Sequence, residues 1–177
     1  NNYIMKHINI IIVAFIFCIS CESTHPQIDI SGYTMGTTYN IKIISNNKDG
    51  EYKVELKEQI DSILISINNQ MSTYLFNSEI STFNNKESNL PFQISDEFSY
   101  VIERALHWAK ETEGAFDITL VPLLYLWGFG PGQKGGLNDV FPDEKTIENR
   151  KIHMGYDKLL INNSYLQKTD PFIKIDL

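Results

Sequence analysis

The chain is poor in cysteine, since its only two cysteines, Cys18 and Cys21, lie close to the N-terminus. With none beyond residue 21, the rest of the chain has no disulfide framework and no cysteine-ligated metal site. Basic charge is also scarce: 15 Lys and Arg stand against 22 Asp and Glu, and the net charge is -7. No Lys/Arg cluster occurs, so we expect no nucleic-acid partner.

Several catalytic motifs are missing as well. The four histidines, at positions 7, 25, 107 and 153, show no metal-ligand spacing. The glycine-rich segment 128–136 contains no Gly-Lys-Ser/Thr, and it follows a helical pattern instead of joining a strand to a helix. It therefore fits neither a Walker A loop nor a dinucleotide fingerprint, and we interpret it as a surface loop.

One apolar run, Ile8–Ile19, follows Lys6 and precedes Ser20 and Cys21. It is shorter than the roughly 20 apolar residues of a spanning helix. The pattern resembles a bacterial lipoprotein signal. We predict a signal segment over 1–21 with lipidated Cys21, a tether over 22–27, and a cell-envelope location, anchored to a membrane and facing the periplasm or exterior. A C-x-x-C redox or metal pair and a transmembrane anchor without lipid remain alternatives.

Residues 28–177 show strand patterns at both ends and helical patterns between them. The absence of regular β-α alternation predicts a single α+β domain with a mixed or antiparallel sheet and packed helices. The final FIKIDL alternates as a strand would and runs to the last residue, so we expect the domain to be incomplete at its C-terminus. Residues 28–45 are predicted to form two strands or one kinked strand, with TMGTT at the bend. Helices are predicted over 53–71, from 95 or 96 to the Gly114 stop, over 120–127 and over 146–150, and strand-turn-strand over 158–177.

Three residues could carry a ligand site. Asp117 follows the glycine turn at Gly114, where it could cap the next helix or accept a hydrogen bond from a ligand. Tyr74, within Ser72–Asn77, could be a core residue or a half-exposed ring on which a flat ligand stacks. Met35 lies between Gly32 and Gly36, where it could fill a gap or touch a ring with its thioether.

Taken together, four blocks resemble the ApbE family of bacterial flavin transferases, in the family's order. They are Gly32–Tyr39 (GYTMGTTY), Asn68–Asn84 (NNQMSTYLFNSEISTFN), Gly114–Pro131 (GAFDITLVPLLYLWGFGP) and Ile175–Leu177 (IDL). The resemblance runs from about Gly32 to the last residue, and the lipoprotein signal is also a family trait. It implies that 28–177 form the N-terminal part of a flavin transferase domain.

The resemblance implies transfer of FMN from FAD to a Thr or Ser hydroxyl of an exported flavoprotein, with release of AMP and a requirement for Mg2+. Such targets include subunits of ion-translocating electron-transport complexes. By matched position, Met35 and Tyr74 would flank the flavin rings, and Ala115, Phe116 and Asp117 would contact FAD. The catalytic base and metal ligands of the family lie beyond the Asp-Leu motif, so none is assigned here. An FAD-binding or FAD-hydrolysing lipoprotein without transferase activity is the alternative.

Overall fold

The computed structural model describes residues 27–46, 49–133 and 141–177. The predicted signal segment, Cys21 and nearly all of the predicted tether lie outside these ranges. Among the helices of the described ranges, none combines the length and the apolar character needed to cross a membrane. Contacts between Cα atoms divide the described chain into two compact units, 27–32 with 38–58 and 33–37 with 59–177.

The first unit contains most of a β-hairpin and the start of a long helix. The hairpin is formed by β1 (Gln27–Thr34) and β2 (Thr37–Ile44), and helix α1 (Gly50–Met71) follows it. Ile28 and Ile30 are buried on β1. A Cβ at Gly32 would come within 2.6 Å of the Tyr39 ring, so a larger residue there would have to displace that ring. Of the two alternatives predicted for this segment, two strands with the bend at TMGTT are confirmed and one kinked strand is wrong.

The second unit carries the remaining elements around one apolar core. They are α2 (Glu79–Asn85), β3 (Phe92–Gln93), α3 (Asp96–Glu111), α4 (Val121–Leu126), α5 (Glu144–Lys151), a 3-10 turn (Tyr156–Lys158), β4 (Leu159–Asn162) and β5 (Tyr165–Lys168). The three strands form an antiparallel sheet in the order β3-β5-β4. Asn163 and Ser164 both have positive φ, the conformation of a type I′ hairpin turn, and so join β4 to β5 with two residues. The α+β prediction is confirmed.

The core fills the space between α2, α3 and the sheet. Phe83, Phe98, Ile102 and Leu166 are among its fully buried side chains. Helix α3 ends where Gly114, at φ +82°, donates its N–H to Ala109 O at 2.8 Å, so the predicted glycine stop is confirmed.

The structure also corrects three details of the prediction. Helix α2 lies between the helices predicted over 53–71 and from 95 or 96, where no helix was predicted, and Ser78 caps it by accepting the N–H of Ser81. The helical period of α1 is right, yet α1 has no fully buried residue, and Val54 and Ile63 are more than half exposed. The segment 173–177 is not a strand, although it has the predicted alternation.

That last segment is held by side chains. Lys168, at the end of β5, is 1% exposed, and its ammonium donates to Phe83 O at 3.2 Å and Ile173 O at 3.0 Å. The same ammonium lies 4.8 Å from the centroid of the Phe83 ring, within cation–π range. Burial, with a contribution from the Lys174 charge, lowers the pKa of Lys168 from 10.5 to about 8.

This pKa predicts a pH-dependent stability. Between pH 8 and 10.5 the unfolded chain binds more protons at Lys168 than the folded chain does, because the folded pKa is the lower one. The free energy of unfolding should therefore rise with pH across this window, by up to roughly 1 kcal/mol per pH unit. Urea unfolding of wild type and Lys168→Met from pH 7 to 10.5 measures it as the difference between the two proteins.

The substitution also leaves two carbonyls without a donor, but that cost does not depend on pH. A difference between wild type and Lys168→Met that stays constant from pH 7 to 10.5 would contradict the lowered pKa.

Candidate functional site

One candidate site is a cleft of about 750 Å³ within the second unit, here called the main cleft. Its volume is typical of pockets that take cofactor-sized molecules. The walls are mostly apolar, with a few polar groups. The lining residues are Met35, Gly36, Ile67, Asn68, Met71, Ser72, Thr73, Tyr74, Leu75, Asp176 and Leu177.

The hairpin tip places Met35 on one wall. Met35 and Gly36 form the two-residue turn between β1 and β2, and both have positive φ, +51° and +72°. Next to them, Thr34 Oγ1 accepts a hydrogen bond of 2.9 Å from Asn68 Nδ2 near the end of α1. Asn68 Nδ2 also donates to Leu64 O at 2.9 Å, so its amide has a fixed orientation. The turn therefore holds a half-exposed thioether at the cleft.

The loop after α1 places Tyr74. Helix α1 ends at Met71, and Ser78 Oγ donates to Ser72 O at 2.6 Å, which closes the loop between α1 and α2. The Tyr74 side chain is 74% exposed, so the interpretation as a core residue is wrong. Its ring is available to a ligand, as the alternative interpretation requires.

The structure adds Asp176 to the candidate residues. Its Oδ1 accepts a hydrogen bond of 2.9 Å from Thr73 Oγ1, and its backbone N–H donates to Ile118 O at 2.9 Å. The sequence analysis included Asp176 in the Ile175–Leu177 block of the family resemblance and assigned it no role. The alternation of FIKIDL was the available signal, because it puts Asp176 on the face opposite to the buried Ile173 and Ile175.

Asp117 does not line the main cleft and is engaged elsewhere. Its Oδ1 accepts from Thr119 N at 2.8 Å and from Thr119 Oγ1 at 2.7 Å, and its Oδ2 accepts from Tyr156 N at 3.1 Å. Thr119 Oγ1 accepts in turn from Gly155 N at 2.7 Å. Asp117 thus joins the loop after α3 to the turn before β4. It does not cap α4, whose N-cap is Leu120.

The neighbours of Asp117 remain accessible. Ala115 is exposed, and Phe116 is 46% exposed. The structure therefore brings Met35 and Tyr74 to one cleft and leaves Ala115, Phe116 and Asp117 outside the residues that line it.

A second, smaller cleft of about 270 Å³ shares Thr73 and Tyr74 with the main cleft. Burial raises the pKa of the Tyr125 phenol there, with further contributions from the charge of Asp176 and from Tyr74. Tyr125 therefore stays a hydrogen-bond donor at neutral pH. The other lining residues are Phe76, Ser81, Asn84, Asn85, Pro131 and Lys174.

A metal site requires several side chains that can act as ligands to lie close together. Across residues 27–46, 49–133 and 141–177, no three His, Cys, Asp or Glu side chains come together as metal ligands would. Mg2+ prefers oxygen ligands that include one or two carboxylates. We assign no magnesium ligand among the described residues, and no catalytic step to a magnesium ion held by them.

Comparison with known proteins identifies the family of this chain. The model of the ApbE family matches residues 35–177. The curated FAD:protein FMN transferase of Vibrio cholerae is 37% identical over 173 residues, covering 98% of this chain and 51% of that protein. The Haemophilus influenzae transferase of the same name is 35% identical over 163 residues, covering 89% and 46%. The chain belongs to the ApbE family.

Solved structures agree with this assignment. The flavin transferase ApbE of Vibrio cholerae superposes with a TM-score of 0.77 at 39% identity, over 85% of this chain and 48% of that one. The apo flavinyl transferase ApbE of Pseudomonas stutzeri gives a TM-score of 0.75 at 30% identity, over 85% and 47%. The chain spans about half the length of the relatives it matches.

The contacts of Asp117 predict a structural cost that is independent of any ligand. Asp117→Ala removes the acceptor of two backbone N–H groups and one hydroxyl, so the free energy of unfolding without ligand should fall by about 2 to 3 kcal/mol. Urea denaturation measures the change. Asp157→Ala, an exposed carboxylate on the neighbouring 3-10 turn, is the matched control. Equal stability of the two variants would contradict the role given to Asp117.

Proposed function

We propose that the protein of which this chain is part transfers FMN from FAD to a Thr or Ser hydroxyl of an exported flavoprotein. The main support is the main cleft, where Met35 and Tyr74 meet in a chain whose relatives are named FAD:protein FMN transferases. In the proposed reaction, the target oxygen bonds to the FMN phosphorus while the bond from that phosphorus to the bridging pyrophosphate oxygen breaks. AMP leaves, the hydroxyl loses its proton, and a phosphoester remains.

The walls of the main cleft suit a flat aromatic ring with polar edges. In the proposal, the Met35 thioether and the Tyr74 ring contact the flavin faces, since sulfur and aromatic rings both pack well on π-systems. Thr73 and Asp176 supply polar groups at the same wall, and Asp176 is an acceptor for an N–H or O–H of FAD. These are binding and orienting roles, which the geometry favours.

Ala115, Phe116 and Asp117 are proposed as a second contact with FAD. Ala115 and Phe116 are accessible, and a carboxylate has about four acceptor positions, of which Asp117 uses three within the protein. One acceptor position of Asp117 remains for a donor on the cofactor. The structural role of Asp117 and its proposed role in binding are thus compatible.

Magnesium is part of the proposal, because the pyrophosphate carries charge that a divalent cation neutralises. Its ligands are proposed to lie outside the described residues, in line with the relatives' greater length. On the sequence pattern and the family resemblance alone, we also propose that the protein is anchored through lipidated Cys21 and lies in the cell envelope. On the same grounds, we propose that its target belongs to a membrane electron-transport complex.

The central prediction is covalent flavinylation. The protein in its full natural length, incubated with FAD, Mg2+ and a target domain, should give a fluorescent target band on a denaturing gel and one AMP per flavin attached. Replacing the target hydroxyl by Thr→Val or Ser→Ala should abolish the band, and chelation of Mg2+ should do the same. The target should be one already shown to accept FMN from another family member.

Two outcomes would redirect the proposal. No band with such a target would contradict transferase activity. Release of AMP from FAD without any target would favour the alternative, an FAD-hydrolysing lipoprotein.

The proposed ring contact of Tyr74 predicts a graded effect on binding. Tyr74→Ala should raise the Kd for FAD about fivefold, because a lost aromatic contact is worth on the order of 1 kcal/mol. Tyr74→Phe keeps the ring and should stay within about twofold of wild type. Flavin fluorescence quenching measures both, with Tyr100→Ala, an exposed tyrosine on α3, as the control. Unchanged affinity in Tyr74→Ala would refute the stacking role.

A further inference from the structure

Asn84 makes an unusual contact with the segment that carries Asp176. Asn84 lies at the end of α2 and is 9% exposed. Its Nδ2 donates to Ile175 O at 2.8 Å, and its Oδ1 accepts from Ile175 N at 2.8 Å. One side-chain amide thus satisfies both backbone groups of a single residue, as the neighbouring strand of a sheet would.

This pairing fixes the direction of the next side chain. Ile173 and Ile175 are fully buried, whereas Lys174 lines the smaller cleft and Asp176 lines the main cleft. Side chains of an extended segment alternate between two faces, so a rotation at Ile175 would turn Asp176 away from the cleft. Asn84 opposes that rotation through both hydrogen bonds at Ile175.

The other contacts of Asp176 leave this role to Asn84. Ile118 O accepts the backbone N–H of Asp176, and Thr73 Oγ1 donates to the carboxylate. Each of these is a single hydrogen bond to residue 176 itself. The Asn84 amide is the two-point contact immediately before it.

We propose that Asn84 is a positioning residue for FAD binding, which acts by holding the Asp176 carboxylate in the main cleft. The inference rests on the proposed function, because it takes FAD as the ligand of that cleft. Asn84 does not line the main cleft and is given no contact with FAD.

A double-mutant cycle with Asp176→Asn tests the inference, because coupled residues show non-additive effects. In the protein of full natural length, Asn84→Ala should raise the Kd for FAD about tenfold in the wild-type background, and less than about twofold in the Asp176→Asn background. Flavin fluorescence quenching gives the four dissociation constants. Equal effects of Asn84→Ala in both backgrounds would overturn the inference.

Two further variants separate positioning from loss of stability. Ile102→Ala truncates a buried core residue on α3 that lines neither cleft, and it should lower stability while leaving the Kd for FAD unchanged. Asn84→Asp has the same shape and retains the acceptor for Ile175 N–H, but it loses the donor to Ile175 O and adds a negative charge. It serves if Asn84→Ala does not fold, and the same non-additivity is expected of it.

FAD binding by the wild-type protein separates failure of the proposed function from failure of the inference on Asn84. A wild-type protein that does not bind FAD overturns the proposed function, and this inference with it. A wild-type protein that binds FAD, with additive effects of the Asn84 and Asp176 substitutions, overturns the inference alone. An FAD affinity that falls equally in Ile102→Ala and Asn84→Ala would show that Asn84 contributes only to stability.

Discussion

The Asp117 carboxylate is the contact on which the arrangement of the second unit depends. It accepts three hydrogen bonds, two from Thr119 and one from Tyr156, and Thr119 accepts a further one from Gly155. These bonds fix the residue between them, Ile118, whose carbonyl receives the backbone N–H of Asp176. A charge placed just after α3 therefore supports one of the contacts that hold Asp176 at the main cleft, beside those made by Asn84 and Thr73.

Polar side chains supply backbone partners to the irregular segment 173–176. Buried backbone N–H and C=O groups need partners, and among the described residues no strand is paired with this segment. Lys168 supplies a donor to Ile173, and Asn84 supplies a donor and an acceptor to Ile175. The two isoleucines can then be buried in the core without a hydrogen-bond ladder.

The spacing of apolar residues and the positions of turn residues such as glycine predicted much of the fold. The three- and four-residue spacing of α1, the glycine after α3 and the two strands around TMGTT were all read correctly, because each rests on a local rule. Helix α2 was missed, since seven residues give too short a period, and burial of Ile80 and Phe83 stabilises it. Residues 173–177 alternate like a strand, but their backbone partners are side chains that no local pattern reveals.

The candidate site was only partly predictable from the residues. Met35 and Tyr74 are 39 positions apart in the printed sequence, and family resemblance alone suggested that they act together. Their meeting at one cleft depends on the Thr34–Asn68 hydrogen bond and on the loop closed by Ser78. Asp176 escaped assignment because its partner, Thr73, is 103 residues away.

The backbone conformation at Met35 lowers stability, while the side chain at the same position is proposed to contact the ligand. A side chain with φ near +50° pays about 1 kcal/mol that glycine would not. A screen for thermal tolerance alone would therefore favour glycine or asparagine at position 35, and would thereby discard the sulfur at the cleft wall. Engineering this hairpin for robustness and preserving its proposed flavin contact are thus opposing aims, as is common where strain lies at a functional site.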